Sequence, residues 1–421
     1  MPEGLLDFIR KSPVPYFAAE EVRKKLEAAG FAELLPGEAP ARGGKYYVLR
    51  SGTALIALRL PREEAAGFVI TAGHSDSPCF KIRDRAELSG SYLRLDAEPY
   101  GGPILASWMD RPLGIAGRVM VRTPSGARAV LIDMKKDAAI MPHMAPHLLR
   151  GLNEGFAFKP GKDLVALFAE GGAGAFDRAV ADLAGCAPED ILARDLRLYC
   201  REQGTVWGPE GEYVSSPRLD DLAAVYTCTE GFLAAEETDR IQVLCVFDNE
   251  EIGSRTRQGA GSDLLPRTLR AAAAPYTAGI DALLEQSFMI SSDNAHAVHP
   301  NYPELFDANE RVRMNGGPAV KHSPRYATDA VSGALFHEIC RRKSIPVQDY
   351  ANRPDLPGGS TIGNISAETT SVWTVDIGLP QLAMHSAYET IGSRDVDYAV
   401  RAVRAAYETR AVFSGDSFEL R

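Results

Sequence analysis

Three apolar runs in this chain stop on an acid or a histidine, and helix-length segments separate the later ones. "GFVITAGH" (67–74) ends on His74; "IQVLCVF" (241–247) leads into Asp248, Glu250 and Glu251; "SFMIS" (287–291) comes just before Asp293. Each run is too short for a core helix and rich in β-branched or aromatic residues, the pattern of a strand buried on both faces. Apolar positions at helical spacing fill about 217–235, 328–342 and 394–412, and strand-like "SVWTVDIGLPQLAMH" ends on His385. Strands alternating with helices predict an α/β fold: a mostly parallel sheet with helices on both faces. Near the N-terminus, 16–30 reads as a helix capped by Gly30, followed by strands at "KYYVLR" and "TALIALRL".

The texture changes in the middle. "GSYLRLDAEPYGG", "GRVMVR" and "ARAVLIDM" are short alternating strands punctuated by Gly and Pro. The chain therefore divides into a first α/β segment (1–91), an inserted β-rich domain (92–212) and a second α/β segment (213–421), the two α/β segments forming one domain that carries the candidate site. A net charge of −10 argues against a nucleic-acid partner, which needs clustered Lys and Arg. Charges interrupt every apolar run at the N-terminus, and none approaches the ~18 residues of a membrane helix, so neither a signal peptide nor a membrane is expected. The six cysteines form no CxxC and read as reduced thiols of a cytoplasmic protein.

Ligands of open α/β sheets lie beyond the carboxyl ends of the strands. His74, the Asp248–Glu251 group, Asp293 and His385 all follow strand-like runs, and "SPRLDD" puts Asp220 and Asp221 at a helix start. Imidazole and carboxylate suit zinc or a similar divalent ion at an open site. Two such ions ~3.5–4 Å apart need one bridging carboxylate and a terminal histidine and acid on each. The inventory supplies Asp220 as bridge, His74 and His385 as terminal histidines, and Glu251 and Asp293 as terminal acids. Glu250 is left over, and a hydrolytic centre needs a general base.

"TAGHSDSP", "SPRLDDL", "DNEEIGS", "SSDNAHAVHPNYP", "GGSTIG" and "LAMHSAYET", in this order along essentially the whole chain, resemble the aspartyl aminopeptidase family, two-metal peptidases with bacterial members. The resemblance implies that His74 and Asp293 with Asp220 hold one ion, and that Glu251 and His385 with Asp220 hold the other. It implies two divalent ions per subunit, zinc first and cobalt or manganese as alternatives, with Asp76 orienting His74. A water activated by the two ions, with Glu250 as its base, would attack the first peptide carbonyl. His147 matches a position that reaches a neighbouring subunit's active site, and the insert would drive assembly of a homo-oligomer, a dodecamer in the family. The family usually has Asn where this chain has Asp221.

The implied substrates are peptides, with Asp or Glu preferred at the N-terminus. Lys321, which matches a family lysine, and Tyr326 in "KHSPRYATD" are the expected wall for that acidic side chain. The alternatives are the same chemistry with a preference for neutral residues such as Leu, a metal-dependent amidohydrolase of small N-acyl compounds, and a non-catalytic scaffold, which would be expected to lose ligands.

Overall fold

The computed structural model describes residues 1–421 apart from position 357. Nine strands form the main sheet, in the spatial order 32–33, 45–50, 54–59, 241–247, 68–74, 288–292, 373–378, 319–322, 348–351. The four central strands, Ile241–Phe247, Phe68–His74, Phe288–Ser292 and Trp373–Gly378, are mutually parallel. The Ala54–Arg59 strand flanks them antiparallel on one side, and the Ala319–His322 strand does so on the other.

Burial on both faces explains the continuous apolar runs. Along Ile241–Phe247, Leu244 and Val246 pack against the helices Pro2–Lys11, Pro15–Ala28, Leu219–Ala234 and Ser393–Glu408. The alternate residues Val243, Cys245 and Phe247 pack against Leu264, Leu265 and Leu269 of the helix Leu264–Ala273 on the opposite face. The helix Ser393–Glu408 buries Val396, Ala399, Val400 and Val403 while Arg394, Arg401 and Arg404 remain outside. The expected helices are present within a few residues of their predicted ends. A first helix, Pro2–Lys11, lies ahead of the one predicted from 16.

The inserted unit differs from the expectation at its start. Its six-stranded antiparallel sheet runs, across the sheet, 126–133, 113–123, 191–200, 79–88, 93–100, 166–169. The strand Cys79–Leu88 therefore belongs to it, ahead of the predicted boundary at 92. Lys81, Arg83, Asp84, Arg85 and Glu87 break that strand's apolar pattern, because much of its length faces solvent. Phe80, Trp108, Ile115, Val119, Phe176 and Leu198 are among the residues of this unit's own core.

A third, five-stranded sheet (205–207, 213–216, 389–392, 380–382, 295–296) escaped the sequence reading. It splits the predicted run ending at His385. Trp373–Gly378 lies in the main sheet, whereas Pro380–Leu382 belongs to the small one. The switch is at Gly378, where a Cβ would stand 2.0 Å from the carbonyl oxygen of Asp293. His385 therefore sits on a turn beyond the small sheet, with φ +68°, and not at the end of a main-sheet strand. Among the described residues, no helix is long and apolar enough to cross a membrane.

Candidate metal centre

The parallel strands end at one edge of the sheet, and the predicted acids and histidines gather there. His74 is the last residue of the strand Phe68–His74 and is 1% exposed. Its Nε2 lies 3.6 Å from Asp220 Oδ1, while the other oxygen of the same carboxylate, Oδ2, lies 3.6 Å from His385 Nε2. The His385 ring nitrogen is also 3.6 Å from Glu251 Oε2. Ligand atoms of His74, Asp220, Asp221 and Asp293 all lie within 4.8 Å of one another, as do those of Asp220, Glu251 and His385. Asp220 is common to both groups. A third group of the same compactness joins His74, Glu250 and Glu251.

Asp76 is fully buried and serves several partners at once. Its carboxylate lies 3.3 Å from His74 Nδ1 and accepts the backbone N–H groups of Glu250 (3.1 Å) and Glu251 (3.2 Å). The Tyr100 hydroxyl donates to it at 2.6 Å. Burial opposes its charge, but the contact with His74 and the bond from Tyr100 hold its pKa below the ordinary value. The carboxylate thus fixes the His74 ring and the turn bearing both glutamates. On the other side, His385 Nδ1 faces the carbonyl oxygen of Gly102 at 3.0 Å. Next to it, Gly101 has φ +70°, and a Cβ there would stand 3.0 Å from that of Glu251.

Two supporting residues were not singled out from sequence. Glu389, 1% exposed, accepts the backbone N–H of Asp220 (3.0 Å) and that of His385 (2.8 Å), bracing the shared carboxylate and a histidine together. It lies in "LAMHSAYET", four residues after His385. Tyr100 comes from the inserted sheet, and Arg197 lies over its ring at 4.0 Å. Asp221, fully buried, accepts the backbone N–H of His74 at 3.2 Å.

So many carboxylates in one buried place are costly without cations. Burial pushes Glu250 up to about 8, with His74 opposing and Asp293 and Asp76 adding. Burial, reinforced by Asp220, drives Glu251 well above its ordinary value. Asp220 is raised by burial and then by Asp293. Asp220 Oδ1, Asp221 Oδ1 and Glu251 Oε1 are buried with no hydrogen-bond partner. Acceptor-only oxygens left open beside two imidazoles fit divalent cations in donor type and in charge.

The centre forms one side of a cavity of about 390 Å3, lined also by Lys321, Tyr326, His296, Tyr350, Thr361 and Met384. Lys321 is 3% exposed, with Nζ 3.7 Å from Asp293 Oδ2 and 5.5 Å from the centre of the Tyr326 ring. Burial works against its charge, and Asp293, Tyr326, Asp376 and Asp221 together more than offset it, so its pKa is raised. His147 is exposed on the inserted unit and is not among the residues lining this cavity.

Residues 8–407 match the profile of a family described as aminopeptidase I zinc metalloprotease (M18). A protein of Pseudomonas paraeruginosa described as "Probable M18 family aminopeptidase 2" is 36% identical over 419 residues, covering 96% of this chain and 97% of its own length. Its counterpart of the same description in Clostridium acetobutylicum is 39% identical over 426 residues, with 96% and 97% covered. The mApe1 dodecamer of S. cerevisiae superposes with a TM-score of 0.85 at 27% identity, over 97% of this chain and 96% of its own.

Substituting Glu389→Ala should leave all the metal-facing side chains in place but release their backbone supports. Metal affinity is expected to fall by ~10–100-fold, the scale for lost outer partners. Elemental analysis after dialysis against graded chelator measures it, and unchanged retention would remove Glu389 from this role.

Proposed function

The chain belongs to the aminopeptidase I zinc metalloprotease (M18) family and is a metal-dependent aminopeptidase, and on that premise we propose that it removes Asp or Glu from peptide N-termini at a centre of two divalent ions, zinc first. The observation that carries the two-ion reading is the Asp220 carboxylate, whose oxygens face the Nε2 atoms of two different histidines at 3.6 Å each. His74 and Asp293, with Asp221 alongside, would hold one ion; Glu251 and His385 would hold the other; Asp220 would serve both. When bound, such ions supply Lewis-acid chemistry, polarising a carbonyl and making water more acidic.

The side chains supply the rest. Glu250 lines the cavity beside both groups. Its carboxylate is placed to take the proton of the attacking water and to return it to the leaving amine. Asp76 keeps His74 oriented, and its two backbone acceptor bonds fix where Glu250 begins.

Lys321 supports the acidic preference. A carboxylate entering this cavity meets several negative groups and needs a buried cation and hydrogen bonds to offset its desolvation. Lys321 lines the wall with Tyr326 beside it, so an Asp or Glu side chain would find a cation and a neutral donor together. We place the protein in the cytoplasm as a homo-oligomer. The likeness to a dodecamer supports the assembly, as do Met144 (51% exposed) and Leu148 (79% exposed), which flank His147 on the insert. In such an assembly His147 would reach a neighbouring copy's cavity. The free state of all six cysteines supports the compartment.

Activity should vanish with a strong chelator and return with zinc, cobalt or manganese. Glu250→Gln should keep its metal and lower kcat by ~100-fold or more. A variant with near wild-type kcat would exclude Glu250 as the base. On aminoacyl chromogenic substrates, Asp and Glu should be cleaved faster than Leu or Ala. Lys321→Ala should cost acidic substrates about 2–3 kcal/mol more in kcat/KM than neutral ones. A wild-type preference for Leu, or equal losses, would establish the neutral-residue peptidase instead. Light scattering should give a mass many times that of one chain, and a fully active monomer would end the role of His147 across subunits.

A further inference from the structure

A second cluster of metal-ligand type lies outside this cavity. His322 ends the strand Ala319–His322, His337 lies on the helix Ala330–Arg342, and Asp349 lies on the strand Gln348–Ala351. The Nε2 atoms of both histidines approach the same oxygen, Asp349 Oδ1, at 2.8 and 2.9 Å. Three ligand atoms from three elements thus point at one spot.

The strand register produces the arrangement. Val320 pairs with Asp349 in a parallel ladder, so His322 stands two residues further along on the same face. That face carries the helix Ala330–Arg342, whose Gly333 and His337 are one turn apart on the same side. The His322 ring lies against this turn: its Cε1 would be in ordinary van der Waals contact, 3.7 Å, with a Cβ at Gly333. Lys321, one residue earlier on the strand, points the other way into the cavity.

We propose that His322, His337 and Asp349 form a further site for a late first-row divalent cation, zinc first, separate from the catalytic centre. Two imidazoles and a carboxylate are the donors such ions choose, and solvent completes the coordination. The three side chains are between 35% and 44% exposed, so an ion and its water have access. A tetrahedral zinc ion separates neighbouring ligand atoms by ~3.3 Å, from bond lengths of about 2.0–2.1 Å. The two gaps between histidine and Asp349 need to open by only ~0.5 Å to reach it. Each imidazole would carry its proton on Nδ1, freeing the Nε2 lone pair for the ion.

The site has a mechanical consequence for the cavity. Residues 323–329 connect His322 to the helix bearing His337, and they carry Tyr326. An ion held by His322, His337 and Asp349 pins both ends of that segment to the neighbouring strand. It thereby stiffens the wall formed by Lys321 and Tyr326 without touching substrate.

The first comparison measures metal content alone and does not depend on the catalytic reading, whereas the Asp220→Ala background rests on it. Native protein dialysed against low-micromolar zinc should hold one more ion per chain than a His322→Ala/His337→Ala double variant. Asp220→Ala, stripped of its catalytic ions, should retain that single ion and show a saturable zinc-induced rise in Tm. His337→Gln keeps a hydrogen-bond donor towards Asp349, which protects the fold. It should weaken zinc binding in the Asp220→Ala background by at least ~10-fold, since even outer partners matter that much. Equal zinc content in the native protein and the double variant, or unchanged zinc affinity in His337→Gln, would overturn the site.

Discussion

Buried negative charge that the protein alone does not neutralise is the constraint around which this molecule is arranged. Asp220, Asp221, Asp293, Glu251 and Glu389 crowd together at the carboxyl edge of the parallel strands, with Asp76 and Glu250 beside them. The cations near them are few: Lys321 at Asp293, and Arg197 further out over Tyr100. Left to itself, such a cluster answers by holding protons, which is why burial and mutual repulsion raise Asp220, Glu250 and Glu251 together. Divalent cations, held by the same side chains, would replace those protons and turn an electrostatic liability into a rigid site. The scaffold bears this load because the acids are fixed to strand ends and to turns braced by hydrogen bonds.

The inserted unit is part of that bracing. Tyr100 donates to Asp76, and the Gly102 carbonyl faces the His385 ring. Both come from the stretch at the end of the strand Leu93–Tyr100, so the insert contributes to the geometry of both metal-binding groups. The small third sheet contributes in the same way, because Glu389 begins its Glu389–Gly392 strand and holds Asp220 and His385 by their backbones. Three sheets therefore meet at one centre. Loosening any one of them would shift a ligand.

These facts decide what was legible in the sequence. His74, Glu250, Glu251 and Asp293 stand out because parallel strands buried on both faces read as apolar runs, and the next polar residue falls at the ligand-bearing edge. The helices Leu219–Ala234, Ala330–Arg342 and Ser393–Glu408 are visible for the same reason, through their periodicity. Cys79–Leu88 is not, since half of its residues are charged, on an antiparallel strand that is partly open to solvent. Neither is the third sheet, whose short strands come from three separate regions of the chain. Glu389 and Tyr100 escape because their importance lies in long-range bonds to backbone groups and to Asp76, which no local pattern encodes.

Lys321 shows where sequence reasoning reaches the identity of a residue but not its whole role. The sequence places a lysine near an acidic site; the structure seals it 3.7 Å from Asp293 with almost no exposure. A buried ammonium in that position offsets the charge of a metal-facing carboxylate and also forms the cavity wall. Those two roles compete for the same three N–H donors. On the proposed acidic preference, an incoming substrate carboxylate would share the ammonium with Asp293, which would set how close the side chain can come. Any preference at the peptide N-terminus is therefore coupled to the charge balance of the metal centre through Lys321. Asp221 already enters that balance, because its carboxylate adds to the field that favours the charged form of Lys321.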